Sequence, residues 1–179
     1  MKMRFIVASL ALSLLALPAR AAEFTLNGAT VDCVWTEATQ NGVAPVYMEI
    51  RADARGAQRL VSAASDLADS AEIDSYTRVA GVLRRQRIEY LPVEANQAVQ
   101  LLPGGYHVLL VGLKEPLVAG TSFEGWVEFE PAGGFLIQIE VVPPGAGSPC
   151  APATRPPGSP APIQILPVPP PIWIPRGSF

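Results

Sequence analysis

The sequence predicts an all-β domain, an antiparallel sandwich or barrel, on three observations. Apolar and polar residues alternate through the middle of the chain, turn residues break these runs at short intervals, and only one stretch has a helical composition. Val31, Cys33 and Trp35 fall on one face of a first strand, and Val46, Met48 and Ile50 on one face of the next. Ser62–Ser70, rich in Ala and Ser, is the one credible helical turn. Alternation resumes from Arg87 to Leu91. Further on, Tyr106, Val108 and Leu110 sit opposite His107, Leu109 and Val111. Val127–Phe129 and Phe135–Val141 supply the last strands. Turns are expected at Asn41-Gly42, Pro103-Gly104-Gly105, Lys114-Glu115-Pro116, Gly120 and Pro131-Ala132-Gly133-Gly134.

The ends are of another kind. Residues 1–21 read as a secretory signal peptide, with Lys2 and Arg4 ahead of an apolar run and Ala19-Arg20-Ala21 as a small-x-small cleavage site. That run is shorter than the roughly 20 residues a membrane span needs. Cys33 comes too late to carry the lipid of a bacterial lipoprotein. The expectation is a periplasmic or secreted protein with no membrane span. From Pro143 to Phe179 lie most of the chain's 19 prolines, which lack the amide donor that helices and sheet interiors need. This tail reads either as loose chain or, because Ile163–Ile174 is unusually apolar, as a docking segment or a strap laid across the domain. The folded domain is therefore expected over 22–142.

Composition excludes several functions. With 49% hydrophobic and 16% charged residues the chain is too apolar to be wholly disordered, and 179 residues leave room for one domain. All 16 acidic residues fall in 22–142 while the 13 basic ones are shared with the ends. So acidic a domain is a poor nucleic-acid binder. The four arginines from Arg78 to Arg87 are the local exception, a basic patch or a solvated strand face. The single histidine, His107, excludes chemistry that needs two imidazoles from one chain. No Gly-x-Ser-x-Gly, no phosphate loop and no singled-out carboxylate pair is present, so no catalysis is expected.

Residues 101–117, Leu-Leu-Pro-Gly-Gly-Tyr-His-Val-Leu-Leu-Val-Gly-Leu-Lys-Glu-Pro-Leu, resemble the PCu(A)C family of bacterial periplasmic copper chaperones. Trp35-Thr36-Glu37-Ala38-Thr39, Val46–Ile50, Arg59–Ser65 and Gly120–Val142 extend the resemblance across the folded part. It implies a cupredoxin-like, antiparallel Greek-key β-sandwich that hands Cu(I) toward the Cu(A) centre of cytochrome oxidase. The family's ligand pattern is His-x10-Met-x21-His-x-Met. Counted from His107, those positions hold Asp74, Arg85, His107 and Leu109. Only the imidazole matches. Cu(I) is soft and takes thioether, thiolate or imidazole donors. Leu109 keeps the bulk of a methionine without its sulfur, and Arg85 brings a fixed positive charge and only donors.

The resemblance thus implies a degenerate copper site in which Asp74 and Arg85 form an ion pair near His107. His107, alone or with Asp74, could still hold copper or zinc. The other reading is a strand histidine kept for hydrogen bonding. No resident cofactor is expected, and copper alone stays open. Cys33 and Cys150, the only cysteines, are expected to form a disulfide in an oxidising compartment, the alternative being a dithiol Cu(I) site. Two functions follow. One is an assembly or interaction module with a periplasmic protein partner, in the setting of cytochrome oxidase assembly. The other is an active copper chaperone using non-standard ligands.

Overall fold

The computed structural model of the chain describes residues 22–79 and 82–150. The expected signal peptide and tail residues 151–179 lie outside the described residues. Eleven strands form, and no helix is present among the described residues: β1 Phe24–Leu26, β2 Ala29–Glu37, β3 Val43–Ala52, β4 Gln58–Ala64, β5 Ala68–Val79, β6 Val82–Arg87, β7 Leu91–Val93, β8 Ala98–Leu101, β9 His107–Leu113, β10 Ser122–Glu130 and β11 Gly133–Val142. Hydrogen bonding runs in the order β6-β5-β9-β3-β2-β11-β10-β4-β7, with β1 beside β2 and β8 beside β3.

Apolar alternation drives this sheet to fold over on itself. The inward residues of β3, β9 and β5 (Val46, Ile50, Val108, Leu110, Ile73) share one buried cluster with those of β4, β7 and β10 (Leu60, Leu91, Val127, Phe129). Burying a large aliphatic or aromatic side chain contributes about 1.5–3 kcal/mol, so this shared interior holds the two halves together. The expected turns at Asn41-Gly42 and Pro103-Gly105 connect strands as read, and β11 ends at Val142, just before Pro143.

Four expectations need correction. Ser62–Ser70 is not helical: Ser62–Ala64 ends β4, Ala68–Ser70 opens β5, and the Ala68 amide closes the turn on the Ser65 carbonyl at 3.1 Å. Pairing with β10 and β9 outweighs the weak helix preference of a short Ala/Ser run. Arg87–Leu91 is not one strand, because β6 ends at Arg87 and the Ile88 amide turns back to the Ile73 carbonyl. Pairing is not wholly antiparallel, since β11 runs parallel to β2 over Trp35–Glu37. A parallel neighbour needs a long crossover, and all the chain between β2 and β11 supplies it.

The fourth concerns β2. Val31, Cys33 and Trp35 do not share a face. Asp32 pairs with Glu49 and Trp35 with Tyr47, so β2 carries one extra residue, and Cys33 takes a left-handed φ of 50°. This bulge sends Val31 and Val34 into the main core, while Trp35 joins a second cluster with Tyr47 and Val142, against which Cys33 packs.

Candidate functional site

The second cluster opens onto the face of the sheet opposite the main core. In β9, Val108 and Leu110 point inward, so His107 and Leu109 point to this other face. In β5 the same face carries Glu72, Asp74 and Tyr76, and in β6 Arg85 and Arg87. Register places Asp74 opposite His107 and Arg87, Tyr76 opposite Arg85, and Glu72 opposite Leu109. The fold therefore brings together all four positions at which the resemblance places ligands.

Their chemistry is uneven. His107 is buried at 2% exposure, and its Nδ1 lies 3.2 Å from the Gly105 carbonyl oxygen. A carbonyl only accepts, so Nδ1 carries the proton and Nε2 keeps its lone pair in the neutral ring. The Pro103–Gly105 turn sets this contact. Gly104 takes φ 80° there, and the Gly105 amide bonds the Leu102 carbonyl at 2.9 Å. Tyr76 stacks on the imidazole with centroids 5.2 Å apart, and Tyr47 lies 6.5 Å away on the other side, next to Trp35 at 4.7 Å. Four neighbouring strands thus contribute one ring each.

Asp74 has no exposure, and neither carboxylate oxygen has a hydrogen-bond partner among the described residues. Its nearest cation is Arg85, whose Nε stands 3.3 Å from Oδ2. The contact is an approach of opposite charges without a well-aimed N–H. Arg85 also reaches Glu72 at 4.0 Å, and Arg87 reaches Glu72 at 3.2 Å. Two carboxylates and two guanidiniums so form a charge network along β5 and β6. Leu109 is buried and offers no donor atom.

These residues do not fit Cu(I). One imidazole nitrogen and a hard carboxylate are the available donors, sulfur is absent, and Arg85 holds a positive charge at the carboxylate. Among the described residues no three His, Cys, Asp or Glu side chains come together to hold a metal ion. Cys33 and Cys150 are joined as a disulfide, with Cα atoms 5.8 Å apart. Neither is a thiolate donor. The bond ties the start of the tail back to β2, beside the Trp35–Tyr47 cluster. No helix among the described residues is long and apolar enough to cross a membrane.

Sequence reasoning missed Tyr76, Tyr47 and Glu72. The alternation Glu72-Asp74-Tyr76 set against Arg85-Arg87 was the available signal. Trp35 was noticed but placed on the wrong face.

Comparison with known proteins bears on the family and the fold. Residues 29–141 match the family model described as "Putative lipoprotein LpqE-like". A curated relative described as "Putative lipoprotein", from Leifsonia xyli subsp. xyli (strain CTCB07), is 26% identical over 116 residues, 64% of this chain and 70% of the relative. Among solved structures, the apo PmoF2 PCuAC domain is 25% identical with a TM-score of 0.60, covering 71% of this chain and 99% of that one. The copper-bound PCuAC domain from PmoF2 is 24% identical with a TM-score of 0.59, over 69% of this chain and 99% of that one. The Cu(I) form of DR1885 from Deinococcus radiodurans is 23% identical with a TM-score of 0.52, over 71% and 85%. The chain shares the PCuAC domain fold.

Proposed function

The chain belongs to the LpqE-like family, and from that premise we propose that it is an exported PCu(A)C-type domain with a degenerate Cu(I) site. On this reading it acts as an interaction module in copper or cytochrome oxidase assembly and carries out no catalytic step. Its relative described as a lipoprotein and its PCuAC-domain fold support export and a copper setting. The observation that carries the reading is the approach of Arg85 to the fully buried Asp74 beside His107. A guanidinium there opposes a cation electrostatically and supplies no lone pair.

A second reading rests on one specific feature. Asp74 has two unpartnered oxygens next to an imidazole with a free Nε2. If Arg85 swung outward, Asp74 and His107 would offer copper or zinc an oxygen and a nitrogen. This is the active chaperone with non-standard ligands.

The test is a competition titration with a coloured chelator under anaerobic conditions. Ascorbate serves as reductant, so that the disulfide stays closed. The proposal expects no stoichiometric Cu(I) binding by the wild type and no change in His107→Ala. Tight binding lost in His107→Ala would establish the chaperone reading. A parallel titration with the disulfide reduced, in which binding is lost in Cys33→Ser but kept in His107→Ala, would move the site to thiolates.

A further inference from the structure

The outer face of β4, β10 and β11 is distinct from the His107 face and carries an exposed apolar centre with an acidic border. Trp126 is 40% exposed and its register partner Leu136 is 54% exposed. The indole lies over Gly134, where any side chain would collide with it. Its other side pairs with Ala64 of β4, another small residue. Glu124 and Glu128 flank Trp126 on the same exposed face of β10, and neither has an ion-pair partner among the described residues. The face is thus a flat aromatic platform between two free carboxylates. Such a surface suits an extended proline-rich strand ending in a cation, because polyproline chains dock on aromatic side chains with little ordering cost.

The chain itself holds that ligand. Pro167–Arg176 reads Pro-Val-Pro-Pro-Pro-Ile-Trp-Ile-Pro-Arg, and no acidic residue follows Pro143. The disulfide fixes the origin of this tail at Cys33. Roughly twenty residues separate Cys150 from Ile172, enough to span about 60 Å at about 3.1 Å per residue. A domain of this size is about 35 Å across, so the segment reaches the platform. A second copy presenting the same face would set carboxylates against carboxylates, which disfavours that occupant.

We propose that Pro167–Arg176 docks on its own domain as a strap, with the prolines and Trp173 on Trp126 and Leu136 and Arg176 between Glu124 and Glu128.

The test uses the full-length mature chain carrying Arg59→Lys and Arg176→Lys, treated with a zero-length carbodiimide and mapped by peptide mass spectrometry. Arg59 already pairs with Glu130 at 2.6 Å, so a cross-link from the amine introduced at position 59 to Glu130 is the internal control. The strap predicts a second cross-link in the monomer band, from the amine introduced at position 176 to Glu124 or Glu128. Trp126→Ala should lower its yield about tenfold, while Trp126→Phe retains it and both variants keep the melting temperature. With the control formed, absence of the position-176 cross-link, or its formation to acids elsewhere, would overturn the proposal. A cross-link found only in a dimer band would give the face to a second copy and overturn it too.

Discussion

Arg85 Nε stands 3.3 Å from a carboxylate oxygen of Asp74, across the β5–β6 hairpin, yet the two partners differ sharply in burial. Asp74 has no exposed surface while the Arg85 side chain is 50% exposed. Removing either partner should therefore have unequal effects. Arg85→Met leaves a buried carboxylate without its nearest cation and is expected to cost about 1–3 kcal/mol. Asp74→Asn removes the buried charge, and Arg85 turns to water, so the cost should stay under about 1 kcal/mol. Denaturant unfolding of both variants checks this. Equal losses would show that Asp74 is held by more than Arg85.

The disulfide spans a sequence separation of 117 residues. In the simple loop model such closure restricts the unfolded chain by about 4–5 kcal/mol. Cys33→Ser with Cys150→Ser should lower the unfolding midpoint accordingly, and reductant should act on the wild type alone. A double variant as stable as the oxidised protein would contradict this.

Tyr47 sets an alkaline limit. Burial, then the charge of the Glu37 carboxylate and that of the Tyr76 hydroxyl group, raise its phenol above the ordinary 10.0. Burial also raises Tyr106 above 10.0. A group with a raised folded value keeps its proton longer in the folded state. The unfolded chain ionises first, so stability is intact below pH 10.0 and falls as the pH rises past it. The slope is at most about 1.4 kcal/mol per pH unit for each phenol. Tyr47→Phe should flatten the loss between about pH 9 and about pH 11. An unchanged slope would remove Tyr47 from the account.

Much of this was legible in the sequence. Period-two alternation located β3, β9, β10 and β11, and the family resemblance, counted from His107, singled out Asp74, Arg85 and Leu109, which the register then places on one face. The Cys33 bulge was not legible. One extra residue reverses the facing of everything beyond it, and nothing in Val31–Trp35 marks where the strand departs from strict alternation. That reversal carries Trp35 out of the main core and into the aromatic row with Tyr47, His107 and Tyr76. The short parallel pairing of β2 and β11 was equally hidden, since it depends on how the whole sheet closes. The Ala/Ser run misled because local preference is weak against cross-strand pairing.

The central proposal is that Asp74, Arg85 and Leu109 stand where Cu(I) donors would be needed, on a scaffold that can still present such a site. The direct measurement is anaerobic Cu(I) titration of the wild type beside Asp74→His/Arg85→Met/Leu109→Met, with X-ray absorption on the loaded sample. The account predicts no binding by the wild type and one Cu(I) per variant chain, with nitrogen and sulfur neighbours. Wild-type binding at full stoichiometry with the disulfide intact would contradict it.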